Sequence, residues 1–191
     1  MSSPQWQDQQ WPAELTPYLR TMRIIVFAMA TGCIFFLVVT QVIGFGGPKQ
    51  AAPPIITYTA CLFAATVVFM RFVVPGIVVA AGRKNLVREM IARADDFEFP
   101  TDVGDLFKSP EFGNKLCGLL QTKTIISVAL LEGAAFFSLI AYMIEGTPLS
   151  IIVAVALIIG IMLHFPTRAR MIDWIERQLQ NIQGERGVIS R

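Results

Sequence analysis

A glutamate interrupts an otherwise continuous apolar run, VALLEGAAFF, and this residue, Glu132, is the side chain whose placement most demands an explanation. A charge at the centre of a membrane helix costs roughly 2 to 3 kcal/mol on insertion scales, so an intramembrane carboxylate implies pairing, hydrogen bonding or ion exchange. Arg71 lies inside another apolar run and has a stem long enough to reach a carboxylate at a neighbouring depth. By helix rise, Glu132 stands roughly 13 Å and Arg71 roughly 18 Å from the basic ends of their runs. Two roles follow for Glu132. In the structural one it pairs with Arg71, or stays protonated and hydrogen-bonds to a neighbouring helix, with Thr31 among the candidate partners. In the functional one it binds and releases a proton or cation. The structural role is the preferred reading. If Pro75 ends the second span, Arg71 moves to the interface and Glu132 is left without it.

The rest of the chain offers little reactive chemistry. His164, the only histidine, sits at a helix end near Arg168 and reads as an interfacial anchor. Cys33, Cys61 and Cys117 lie in or beside apolar runs without Cys-x-x-Cys spacing and read as small buried hydrophobes. No His, Cys, Asp and Glu cluster has metal-ligand spacing, no glycine-rich loop matches a P-loop, and no nucleophile has a base placed beside it by sequence. Neither a metal, a cofactor nor an enzymatic activity is expected. Gly32 and Gly133, each followed by a small residue, suit close helix packing, and Gln41 suits an interhelical hydrogen bond.

What must position these residues is a set of membrane helices. Of 191 residues 54% are hydrophobic and only 16% charged, and the mean hydropathy is +0.57, too apolar for an ordinary soluble fold. Four runs approach or exceed the ~20 residues that span ~30 Å of hydrocarbon: Ile24 to Gly44, Ile55 to Gly82, Thr124 to Ile144 and Leu149 to Phe165. They are continuously apolar rather than alternating, which favours helices over barrel strands. Lys and Arg are sharply asymmetric. Fourteen of the 16 fall in the three segments on one side, and the opposite loops hold only Lys49. The positive-inside rule therefore places both termini in the cytoplasm. A formal charge of +2 makes no concentrated basic face, so nucleic acid is not an expected partner. The N-terminal stretch lacks a signal-peptide pattern, and the first span is expected to direct insertion, consistent with a bacterial inner membrane.

The expected organisation has five parts. Residues 1–23 form a cytoplasmic segment in which Trp6 and Trp11 suit the headgroup region; 24–82 form a first transmembrane hairpin; 83–123 a cytoplasmic loop; 124–165 a second hairpin; and 166–191 an amphipathic helix and tail. Within the loop, RKNLVREMIARA reads as helix, DDFEFPTDVGDLF is acidic, and Ser109-Pro110-Glu111 reads as a helix start running into the third span. After the fourth span, Ile172, Ile175, Leu179 and Ile182 form a stripe beside Trp174, suited to the membrane surface or to the acidic loop. The tail GERGVISR is expected to be mobile.

The first and third spans match at an offset that puts Ile24-Ile25 on Ile125-Ile126, Ala28 on Ala129, Gly32 on Gly133 and Phe35-Phe36 on Phe136-Phe137. The next pair of spans sets MRF at 70–72 against LHF at 163–165, which aligns Arg71 with His164. Such a chain would be two hairpins of like orientation, a parallel duplication. The third span, LQTKTIISVALLEGAAFFSLIAYMI, resembles the second helix of the c subunit (proteolipid) of F-type ATP synthases. The resemblance covers about 25 residues, and it implies that Glu132 takes the place of the family's proton-carrying carboxylate. The family's glycine-repeat helix is absent from IITYTACLFAATVVFMRF. The sequence thus predicts an all-α integral membrane protein of four transmembrane helices, N-in and C-in. Its expected role is a non-enzymatic structural or accessory subunit, as a homo-oligomer or with a membrane-complex partner, and the alternative is a proton or cation translocator using Glu132.

Overall fold

The computed structural model describes residues 15–42, 53–92 and 110–189, and within them every regular element is a helix. In chain order these are α1 (Leu15–Val42), α2 (Ile55–Ala92), α3 (Pro110–Glu145), α4 (Pro148–Met162) and α5 (Arg168–Ile189). Three of them, α1, α2 and α3, are long and apolar enough to cross a membrane, while α4 is apolar but only 15 residues long.

The helices begin and end for local reasons. α3 starts at Pro110, whose missing N–H costs nothing in a first turn, and Glu111 lies in that turn near the positive end of the helix dipole. Ser109, the expected cap, lies outside the described residues, as do Trp6, Trp11, Lys49 and the acidic stretch 93–109. α3 then continues unbroken into the apolar run, as the sequence predicts. It stops at Gly146, whose φ of 69° lies in the left-handed region that glycine tolerates, and the Gly146 N–H donates to Tyr142 O at 2.7 Å. Thr147 is the N-cap of α4 and Pro148 occupies its first turn. α2 does not end at Pro75: it carries the proline inside and runs on to Ala92, so RKNLVREMIA is a direct extension of the apolar helix. Pro166, by contrast, lies in the link after α4. α5 runs on to Ile189, so the tail segment 184–189 is helical, and residues 190–191 lie outside the described residues.

α3 is the centre of the bundle. α1, α2 and α4 each pack along it, while α1 and α2 scarcely meet. The first two long helices are therefore not a packed hairpin but two flanks of a shared partner, a departure from the first of the two expected hairpins, whereas α3 and α4 do pack against each other. Two contacts nevertheless join α2 to the α4 region at the offset of the sequence match. Thr57 Oγ1 and Ser150 Oγ share a hydrogen bond at 2.9 Å, and Arg71 meets His164.

Two cores are stacked along the bundle. The apolar storey holds Val26, Ala30 and Cys33 of α1, Ala64 and Val67 of α2, Val128, Leu131, Ala134 and Ala135 of α3, and Leu157, Ile158 and Ile161 of α4. Edge-on ring pairs, Phe36 with Phe136 at 5.3 Å and Phe63 with Phe137 at 5.5 Å, close it. Its outer surface is also apolar, with Phe27, Phe35, Leu62, Phe69 and Ile77 all exposed, the pattern of helices whose solvent is hydrocarbon. The second core is a head built from Leu15, Leu19 and Met22 of α1, Leu86, Val87 and Met90 of α2, Phe112, Leu116 and Leu120 of α3, and Met171, Ile175, Leu179 and Ile182 of α5. Ile175, Leu179 and Ile182 of the α5 stripe are thus buried in protein rather than laid on the membrane surface, against helices that flank the acidic stretch, while Ile172 is half-buried. On the head's surface Lys115 Nζ reaches Glu89 at 2.6 Å and Glu111 at 3.0 Å, and those hydrogen bonds raise its pKa above the ordinary lysine range, whereas Glu176 Oε1 is buried without a partner among the described residues.

Fully buried Ile175 faces the head core, whereas Phe27 stands exposed on the apolar exterior. Ile175→Ala is expected to cost about 2 to 5 kcal/mol and to lower the melting temperature in detergent clearly, while Phe27→Ala leaves it nearly unchanged. Equal shifts in the two melting curves would contradict the assignment of the head as a water-excluded core.

Candidate functional site

The sequence brings Arg71 to the level of the link after α4, and there the structure gives it His164 rather than Glu132. Leu163, His164 and Phe165 form a terminal turn whose N–H groups donate to Ile159 O, Ile161 O and Met162 O at 2.9, 2.9 and 3.1 Å. This turn aims the imidazole back along α4, where Nδ1 lies 2.8 Å from Gly160 O. Nδ1 is therefore the donor, by assignment from its partner, and Nε2 is left as the acceptor for Arg71 Nη2, which it meets directly. The same guanidinium stands 5.6 Å from the Phe72 ring centroid. His164 is more than an interfacial anchor: it ties α2 to the end of α4.

Glu132 is half-buried in the apolar storey and faces α1. A Cβ on Gly32 would stand 3.9 Å from Glu132 Oε1, an ordinary contact, so the carboxylate lies against α1 at this position. No hydrogen bond or ion pair reaches that carboxylate among the described residues. Thr31 and Gln41 are both exposed, and neither hydrogen-bonds to it. Gly133 is exposed with open space around it, Gly32 makes only an ordinary contact, and the close helix approach is at Gly82, where a Cβ would collide with the Leu119 side chain. Cys33 and Cys117 are buried and Cys61 half-buried; in the head, burial pushes the Cys117 thiol up to about 12.

A cavity of about 560 Å³ lies at the seam between the two storeys. It exists because α4 ends there while α5 starts beyond a non-helical link, 165–167, so that one quarter of the bundle changes helix. Its charged lining is entirely cationic: Arg71, Lys123, Arg170 and Arg177, with His164 beside them and no carboxylate. Phe72, Pro75 and Phe165 form an apolar wall. The cations are held by groups other than acids. Arg170 Nη1 donates to Leu163 O at 2.9 Å, Arg177 Nε donates to Asp173 O at 2.9 Å, and Lys123 Nζ lies 5.8 Å from the Trp174 ring centroid. Burial, and then the neighbouring Arg177 charge, hold the Lys123 ammonium below its ordinary pKa. Outside the cavity, Arg23 braces the same link by donating Nε–H to Pro166 O at 3.3 Å and lies 5.7 Å from the Phe165 ring centroid.

Sequence reasoning passed over Glu145. α2 opens on Pro53-Pro54, which offers no capping side chain for the first N–H groups. Glu145, at the end of α3, supplies the missing acceptors: Oε1 takes the Ile56 N–H at 2.7 Å and Oε2 the Thr57 N–H at 2.8 Å. The carboxylate also sits at the positive end of the α2 dipole. The signal was available, because a helix with no Ser, Thr, Asp or Asn at its start needs an acceptor from elsewhere and few acids lie on that side. Compared with protein-family models, curated proteins and solved structures, the chain matches none of them.

Removing that carboxylate frees two amides. Glu145→Ala is expected to accelerate hydrogen exchange at Ile56 and Thr57 and to lower the melting temperature, with Glu145→Gln intermediate because its single carbonyl retains one acceptor. Unchanged exchange at both amides in Glu145→Ala would show that the cap contributes nothing.

Proposed function

We propose that the protein is a non-enzymatic membrane component that crosses the bilayer four times with both termini in the cytoplasm. It presents its head to partner subunits or to further copies of itself. The observation that carries this reading is the two-storey bundle: a storey apolar inside and out, joined rigidly through α2 and α3 to a head with a buried core and charged exterior. Such a head is held at a fixed distance from the bilayer by two uninterrupted helices, which suits a docking platform. α4, at 15 residues, rises about 22 Å and needs its flanking turns to complete a crossing. The basic residues gather at the head, as expected for the cytoplasmic side.

Two measurements test this. In a chain with its cysteines replaced by serine, Thr147→Cys is expected to react with an impermeant maleimide from outside the cell, and Asn181→Cys only after permeabilisation. Native mass spectrometry of the protein released with its surrounding lipid is expected to give an oligomer or a larger membrane complex. Reaction of both cysteines from one side would overturn the topology, and a monomer alone would overturn the accessory role.

The second reading, proton or cation translocation through Glu132, is favoured by one feature. The carboxylate faces Gly32 without a hydrogen-bond partner among the described residues, so it is not consumed by structure. The weak likeness of its helix to the proteolipid of ATP synthases points the same way. In vesicles loaded with a pH-sensitive dye, the accessory reading predicts that an imposed pH gradient decays no faster than in protein-free vesicles. Faster decay, abolished by Glu132→Gln, would favour translocation instead.

A further inference from the structure

We infer that the seam cavity binds the phosphate-bearing headgroup of an anionic lipid. Three features converge on this ligand class. The cavity collects Arg71, Lys123, Arg170 and Arg177 without a single lining carboxylate, and like charges at such proximity lack their counter-charge. The nearest acids along α5, Asp173 and Glu176, do not line it. Arg170 and Arg177 each spend one N–H on a backbone carbonyl, which fixes the guanidinium while its remaining donors stay available for a phosphate oxygen. Finally, the cations share the lining with an apolar surface beside them. Phe72 and Phe165 are exposed there, and Leu163 and Ile77 continue the apolar exterior. A ligand whose anionic end enters the cavity can lay acyl chains along that exterior without crossing a polar surface.

A soluble phosphate would satisfy the guanidinium groups equally well, but it has no use for the apolar wall. The position of the cavity, where the apolar storey meets the head, is that of phospholipid headgroups, and anionic lipids draw basic clusters there. The inference takes from the reading above only the depth of the seam. Because binding can be measured in detergent, a failed topology and a failed lipid site would be recognised separately.

The full-length protein in detergent would be titrated with phosphatidylglycerol or phosphatidylcholine and the retained lipid counted by native mass spectrometry. Wild type is expected to retain phosphatidylglycerol preferentially. The double variant Arg170→Gln/Arg177→Gln should weaken that retention by about tenfold or more, the size expected for losing hydrogen bonds to a charged group. Gly76→Leu provides a test that keeps every charge: Gly76 lines the cavity and has nothing within 4 Å of its Cβ position, so a leucine fills the space. It should block retention even if the double variant fails to fold. Lys84→Gln/Arg88→Gln removes exposed charge elsewhere on α2 and should leave retention unchanged. Retention that survives both cavity variants, or that falls equally with the Lys84 and Arg88 changes, would overturn the site. Displacement of the lipid by inorganic phosphate at comparable concentration would assign the cavity to a soluble anion and overturn the lipid.

Discussion

The structure depends on α3, a helix of 36 residues that at 1.5 Å per residue extends about 54 Å, well beyond the ~30 Å of a hydrocarbon layer. Its backbone hydrogen bonds are all internal, so it can pass from an apolar to an aqueous solvent without a break. The other helices take their places from it. α1, α2 and α4 pack on its apolar length; α1, α2 and α5 share a core with its first turns. Glu145 at its far end extends the same role, since the carboxylate that finishes α3 also starts α2.

The two cores are held by different forces. In the head, water is the competing solvent, and burying Leu116, Met90 and Ile175 is favoured by the hydrophobic effect. In the apolar storey, a lipid chain offers the same apolar surroundings as a leucine, so burial alone gives no driving force. Small residues at the contact, Ala30, Ala64, Ala134 and Ala135, let the helices approach closely enough for dispersion to matter. Polar ties then set the register: Thr57 to Ser150 at one end and Arg71 to His164 at the other, with Glu145 between α3 and α2.

Much of this was legible in the sequence. The apolar runs gave the helices because no other element satisfies the backbone in hydrocarbon, and Ser109-Pro110-Glu111 marked where α3 begins because terminal chemistry is local. The Arg71 to His164 alignment came from comparing the halves of the chain, and the structure brings those residues together. The Arg71 to Glu132 pair failed because depth along a helix says nothing about azimuth: Glu132 points at α1, and Arg71 at the link after α4. The α5 stripe was recognised, but the choice between membrane surface and loop stayed open, since an amphipathic face fits a membrane surface and a protein core equally well. Pro75 does not break α2, because a proline in an apolar helix costs only one hydrogen bond, which packing readily offsets.

The seam was not legible at all, because it arises from an exchange of helices rather than from any motif. α4 is too short to reach the head, and α5 takes over its quarter of the bundle after Thr167. Wherever one helix stops beside others that continue, side chains from the continuing helices are left facing space. Here those side chains include Arg71 and Lys123, and α5 adds Arg170 and Arg177. An apolar lining would have closed such a gap by repacking, since an empty apolar void forfeits contacts. Four cations resist closure by mutual repulsion, and Lys123 rests on Trp174 instead of an acid. The gap therefore persists as a charged cleft between the two storeys, with an apolar surface beside it.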